Sequence, residues 1–109
     1  MTWERIGALR HRLRLEDVSR IADEAGGASE SWSAVGEMWA ALRPVSGDEA
    51  LEAEKLAGRV THEVIVRHRA GIRPHMRFVL GARMFDIRAV LDIEERRRFL
   101  RCLVEERQL

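Results

Sequence analysis

The chain has a single cysteine, Cys102, among its 109 residues. That excludes an internal disulfide framework. A lone cysteine inside an apolar run reads as a small buried thiol rather than a nucleophile, and it suits a reducing cytoplasm. No stretch of about 18 apolar residues appears, so nothing reads as a membrane-crossing helix. The start, MTWERIGALRHR, lacks the basic stretch followed by an apolar one that marks a secretory signal. There is no excess of charge of either sign: 19 Lys and Arg face 18 Asp and Glu. A bulk attraction to nucleic acid is therefore excluded, and any charge argument must be local. Internal repeats and low-complexity segments are missing as well. At this length one domain, residues 1–109, can bury a core without metals or disulfides.

Chemistry-bearing motifs are also missing. No Gly-x-Ser-x-Gly presents a serine nucleophile in a sharp turn. Gly26-Gly27 is not followed by the Gly-Lys-Ser/Thr of a phosphate-binding loop and reads as a plain turn. His62 and His68 share a strand face, but six residues of extended chain separate them by about 20 Å, too far for one metal ion. Glu94-Glu95 and Glu105-Glu106 are acidic neighbours, yet adjacent residues on a strand point oppositely and do not form an acid–base pair. No enzyme, cofactor or metal chemistry is expected.

What is present is alternation. The stretch Met76–Asp92 reads as a β-hairpin: Met76, Phe78 and Leu80 fall on one face of one strand, and Phe85, Ile87, Ala89 and Leu91 on one face of the next. Gly81-Ala82 lies between them, with Gly81 placed to supply the positive φ of a type II′ turn. Arg77, Asp86 and Arg88 would face outward. Further strands are expected from Leu9 to about Ala22, from Ser31 to Arg43 with a bulge near Gly36, from Arg59 to Arg69, and from Phe99 to Glu106. Ahead of the first, Thr2 would cap a short turn carrying Trp3, Ile6 and Ala8. Asp23 to Gly27 reads as a turn between the first two strands. Pro44 should end the second strand, and Ser46-Gly47-Asp48-Glu49 has the spacing of a capping box opening a helix that stops at Gly58. Asp92-x-x-Glu95 should cap a short helical turn through Arg98. The expected fold is mainly β, a small antiparallel β-barrel of about six strands, with the 45–58 helix inserted between strands two and three.

Two segments stand out by charge. Val64 to Phe85 contains no acidic residue but carries Arg67, Arg69, Arg73, Arg77 and Arg83, a local positive excess suited to a subunit or partner contact. The 45–58 segment carries Asp48, Glu49, Glu52 and Glu54 against Lys55, the sole lysine of the chain. Unlike patches of this kind suit a head-to-tail contact. Arg96-Arg97-Arg98 follows Asp92, Glu94 and Glu95, so its charge is cancelled locally, as bases at the end of a helical turn complement its dipole. Phe78 and Phe85 look inward, which argues against an open stacking face for single-stranded nucleic acid. Trp3, Trp32 and Trp39 are expected to fill the barrel or seal its end.

The order of these signals resembles the phage head–tail joining family, the head-completion or stopper proteins. The matching residues are Ile6-Gly7, Leu9 to Arg12, Asp23 with Gly26-Gly27, Trp32, Trp39-Ala40, Pro44 with Ser46-Gly47, Thr61-His62, Val66-Arg67, Gly71, Pro74, Met76-Arg77, Gly81, Phe85-Asp86-Ile87, Val90, Asp92, Glu95-Arg96 and Glu105-Glu106. The resemblance implies a virion protein of a phage, prophage or gene transfer agent that assembles in the host cytoplasm into a six- or twelve-fold ring. Its partners would be copies of itself, the portal or adaptor on the head side, the tail terminator or tail tube on the other, and double-stranded DNA in the channel; no membrane is implied. It also implies that the connection between strands two and three, here Ser46, Asp48, Glu49, Glu52, Glu54 and Lys55, blocks the channel. Leu51 and Leu56 lie about 140° apart on the helical wheel with only alanines beside them, so weak docking and mobility of this helix are expected. A small OB- or SH3-like binding module for peptide or nucleic acid is the alternative.

Overall fold

A computed structural model describes residues 9–22, 24 and 26–107. The expectations for Trp3, Ile6, Ala8 and Asp23 fall outside these residues. The chain runs β1 (His11–Ala22), β2 (Ala28–Pro44), α1 (Gly47–Ala57), β3 (His62–Arg67), β4 (Arg77–Leu80), β5 (Arg83–Asp92) and β6 (Phe99–Glu106). The strands close into a barrel in the order β1-β2-β3-β6-β5-β4, with every pairing antiparallel. The mainly-β expectation, with six strands and a helix between the second and third, holds.

The core is the inward phase of the alternation. Leu13 and Leu15 of β1, Ala40 of β2, Val64 and Val66 of β3, Phe78 of β4, Phe85 and Ile87 of β5, and Cys102 and Val104 of β6 pack together. Closure removes the free sheet edges within the barrel itself. The β4–β5 hairpin forms as expected, with Leu80 opposite Arg83 and Gly81 at φ 59°. Only Gly81 of the two turn residues is left-handed, as a type II′ turn requires.

Several local expectations are corrected. On β5 the alternation breaks at Arg88, where the register with β6 skips a residue. The bulge turns Val90 toward the core and leaves Leu91 exposed, so the inward set is Phe85, Ile87 and Val90. The bulge in β2 is present, with Val35 as the extra residue beside Gly36. The capping box does not close: Ser46 makes no side-chain bond to the helix, and Glu49 is drawn away by Arg43 at 2.9 Å. Gly58 does end α1, its N–H donating to the Glu54 carbonyl at 3.0 Å. After Asp92 a 3-10 turn forms over Ile93–Glu95, but Glu94, Glu95 and Arg97 are left-handed, so it does not continue as a helical turn through Arg98. Asp92 instead accepts from the Arg97 N–H at 3.1 Å, so the dipole reading of Arg96 to Arg98 does not apply.

β1 and β2 outrun their neighbours. β1 meets β4 only over Arg14–Glu16, and β2 meets β3 only over Ala40–Pro44. Beyond those contacts Asp17–Ala22 and Ala28–Ser33 pair only with each other, as a two-stranded arm. The fold is elongated, 51 Å along its long axis against 28 and 27 Å across.

Candidate functional site

The base of the arm is fixed by one polar cluster on the outer wall. Glu16 stands opposite Arg77 in the β1–β4 register. Its carboxylate accepts from Arg77 Nε at 2.7 Å and from Arg14 Nε at 2.8 Å. Burial pushes the Glu16 carboxyl up, but the two arginines outweigh it and hold it below its ordinary value. The Arg77 guanidinium also lies 3.9 Å from the centre of the Trp32 ring, with Arg107 on the same ring at 5.5 Å. Trp32 therefore does not fill the barrel. It sits outside, clasped by two arginines, and ties β2 across β1 to β4 and the C-terminal end. Arg77, expected on a wet face, is buried for the same reason.

The arginines of the acid-free stretch meet acids from elsewhere in the fold. Arg73 reaches Asp17 at 3.1 Å, Arg77 reaches Glu16, and Arg83 reaches Glu106 at 2.7 Å. Sequence proximity to acids was the wrong measure, because antiparallel pairing sets β4 beside β1 and the start of β5 beside the end of β6. Arg67 and Arg69 remain without an ion pair among the described residues, at the far end of β3. Arg69 folds back over Gly36, so close that a Cβ there would meet its guanidinium at 3.1 Å.

Trp39 is the second tryptophan outside the barrel, with 51% of its surface exposed. Ala40 points into the core, so the two-residue period forces Trp39 outward. Arg12, its register partner on β1, lies 5.6 Å from the indole centre and reaches Glu37 at 3.3 Å. The β2–β3 pairing ends at Ala40–Val66, and Arg67 follows Val66 at the end of β3. Trp39 is thus an exposed apolar knob with Arg12 over its ring. The β-period, counted from Ala40 rather than from the tryptophans themselves, was the signal that would have found it.

At the opposite end α1 packs through small residues. Ala53 is buried with Val60 and Leu103, and Ala57, Val45 and Ala89 complete the cluster. Leu51 and Leu56 are turned out, 58% and 69% exposed, which agrees with the helical-wheel reading that neither docks the helix. Of the acidic set, Glu49 meets Arg43 and Glu52 meets Lys55 at 3.1 Å. Asp48 and Glu54 have no ion pair among the described residues. Between α1 and β6 runs an open groove of about 260 Å3, lined by Asp48, Glu49, Glu52, Ala53, Leu56, Arg101 and Leu103. Arg101 is held by the buried Glu63, which Arg43 also reaches at 3.3 Å.

Cys102 is fully buried, and burial pushes its thiol up to about 12. His62 lies edge-on to Phe85, ring centres 5.3 Å apart. Burial depresses its basicity, partly opposed by Glu106 at 3.9 Å and reinforced by Arg83. Among the described residues no helix is long and apolar enough to cross a membrane.

The sequence profile of the phage head completion protein family matches residues 5–107, so the chain belongs to that family, and its members are structural virion proteins. Two solved structures are similar. A chain of the native gene transfer agent virion is 30% identical, with a TM-score of 0.65 over 91% of this chain and 96% of that one. Protein SF1141 from Shigella flexneri 2a, solved in solution, is 25% identical, with a TM-score of 0.72 over 93% of this chain and 95% of that one. No curated protein matches.

Proposed function

We propose that this head completion protein forms a ring, six- or twelve-fold, between the portal with its adaptor and the tail, closing the DNA-filled head and offering a surface to the tail. The observation that carries the reading is its likeness, at 30% identity and nearly the full length of both chains, to a chain that sits in a gene transfer agent virion. The shape of the molecule supports it. An elongated barrel with an arm at one end and an acidic helix at the other presents unlike surfaces, and head-to-tail contacts between unlike surfaces close into rings when the rotation permits. The helix segment, with Asp48, Glu52 and Glu54 exposed, would repel the DNA backbone rather than adhere to it, so it suits the wall or gate of a DNA passage.

Electron microscopy of particles assembled with the parent protein tests this directly. The expected image shows a ring of this barrel between portal and tail. Filled, tail-bearing particles that lack the protein, or a protein that stays monomeric and outside the particle, would overturn the reading.

A further inference from the structure

We propose that neighbouring copies in the ring join by inserting Trp39 of one copy into the groove between α1 and β6 of the next. The inference rests on the ring reading above and names the surfaces that make it. Trp39 is the largest exposed apolar side chain on the strands, and it stands on a rigid paired wall, where an indole adds contact area at little entropic cost. The groove complements it in shape and chemistry. Its floor is Ala53 and Leu103, its lip is the exposed Leu56, and its volume of about 260 Å3 admits a side chain of that size.

The charges around knob and groove are opposite. Arg12, paired to Glu37, lies over Trp39 and Arg67 follows the last β2–β3 pair, whereas Asp48, Glu49 and Glu52 outnumber Arg101 along the groove. Apart from Glu49, which Arg43 holds, and Arg101, which Glu63 holds, these groups have exchangeable ties or none. Arg12–Glu37 and Glu52–Lys55 join groups that are each more than half exposed, a class of pair that contributes little in water. Arg67 and Asp48 make no ion pair among the described residues. Knob and groove lie on different strands, β2 and β6, separated by β3 in the barrel order. A copy therefore keeps its own groove free while its knob is engaged, as a head-to-tail chain of contacts requires.

The test is made in assembled particles. Trp39→Cys and Leu56→Cys are combined in one chain, with each single variant as control; the buried Cys102 is silent toward exposed thiols. Under mild oxidation the double variant should give a ladder of covalently linked subunits, and the single variants none. Glu52→Arg should weaken ring formation at least tenfold, and Arg12→Glu added to it should restore rings. Because all four positions are exposed, circular dichroism of the isolated variants should match the parent. Rings that form normally with Trp39→Ala and Glu52→Arg, with no ladder from the cysteine pair, would overturn the contact while leaving the ring standing. Absence of rings in parent particles would instead remove the ring reading and this contact with it.

Discussion

Glu16 is the side chain on which β1, β4 and the arm converge. Its carboxylate is almost wholly buried and satisfied by Arg77 and Arg14, while Arg77 in turn stacks on Trp32. Removing one member of a buried pair leaves the other charge uncompensated, which costs far more than the intact pair contributes. Glu16→Ala should therefore lower the unfolding free energy by about 3 kcal/mol, read from urea denaturation. A loss comparable to that of a surface substitution would show that the pair is solvated. His62 supplies a pH dependence of opposite origin. Its folded basicity is depressed by burial, so the unfolded chain takes up the proton first as pH falls. Stability from this group is fully present above its ordinary value of 6.5 and is lost as pH falls below it. Thermal melts between pH 7.5 and 5.5 should show a falling midpoint in the parent and a flatter profile in His62→Gln. A midpoint that rises on acidification would contradict the sign.

At the scale of elements, most of the fold was legible because burial on one face imposes a period of two. The β4–β5 hairpin, the β2 bulge, the helix between β2 and β3 and the bounds of β6 all followed from alternation and glycine placement. What escaped did so for identifiable reasons. The Arg88 bulge shifts the phase without any glycine to announce it, so plain alternation places Leu91 inside. The capping box failed because Arg43, at the end of β2 just before the turn, takes the Glu49 carboxylate that the motif would aim at the backbone. The pairing of Arg73, Arg77 and Arg83 depends on strand order, which a one-dimensional count of charges does not contain. The candidate surfaces were half legible. The acidic helix with unanchored leucines could be read from its wheel, whereas the Trp39 knob needed the inward phase of Ala40 to be known first.

At the scale of the whole molecule, the two roles proposed for α1 can be separated by a single variant. As a gate it would act on DNA; as one wall of the groove it would act on the neighbouring subunit. Its attachment bears on both. A helix held by Ala53 and Ala57 buries little apolar surface, so the six-stranded barrel, whose core does not include it, should survive its removal. Replacing Asp48–Ala57 with a short Gly-Ser linker should leave the strand signal in circular dichroism intact and the cooperative melt in place. In particles the deletion removes the Leu56 lip and the acidic rim, and with them the groove for Trp39. If the subunit contact governs, rings should be lost and packaged DNA should leak from tailless heads for want of a ring. Normal rings around leaking heads would assign α1 to the channel and overturn the groove contact. Heads that keep both ring and DNA as well as the parent would leave α1 with neither role, a cover over the Val60–Leu103 seam of the barrel wall.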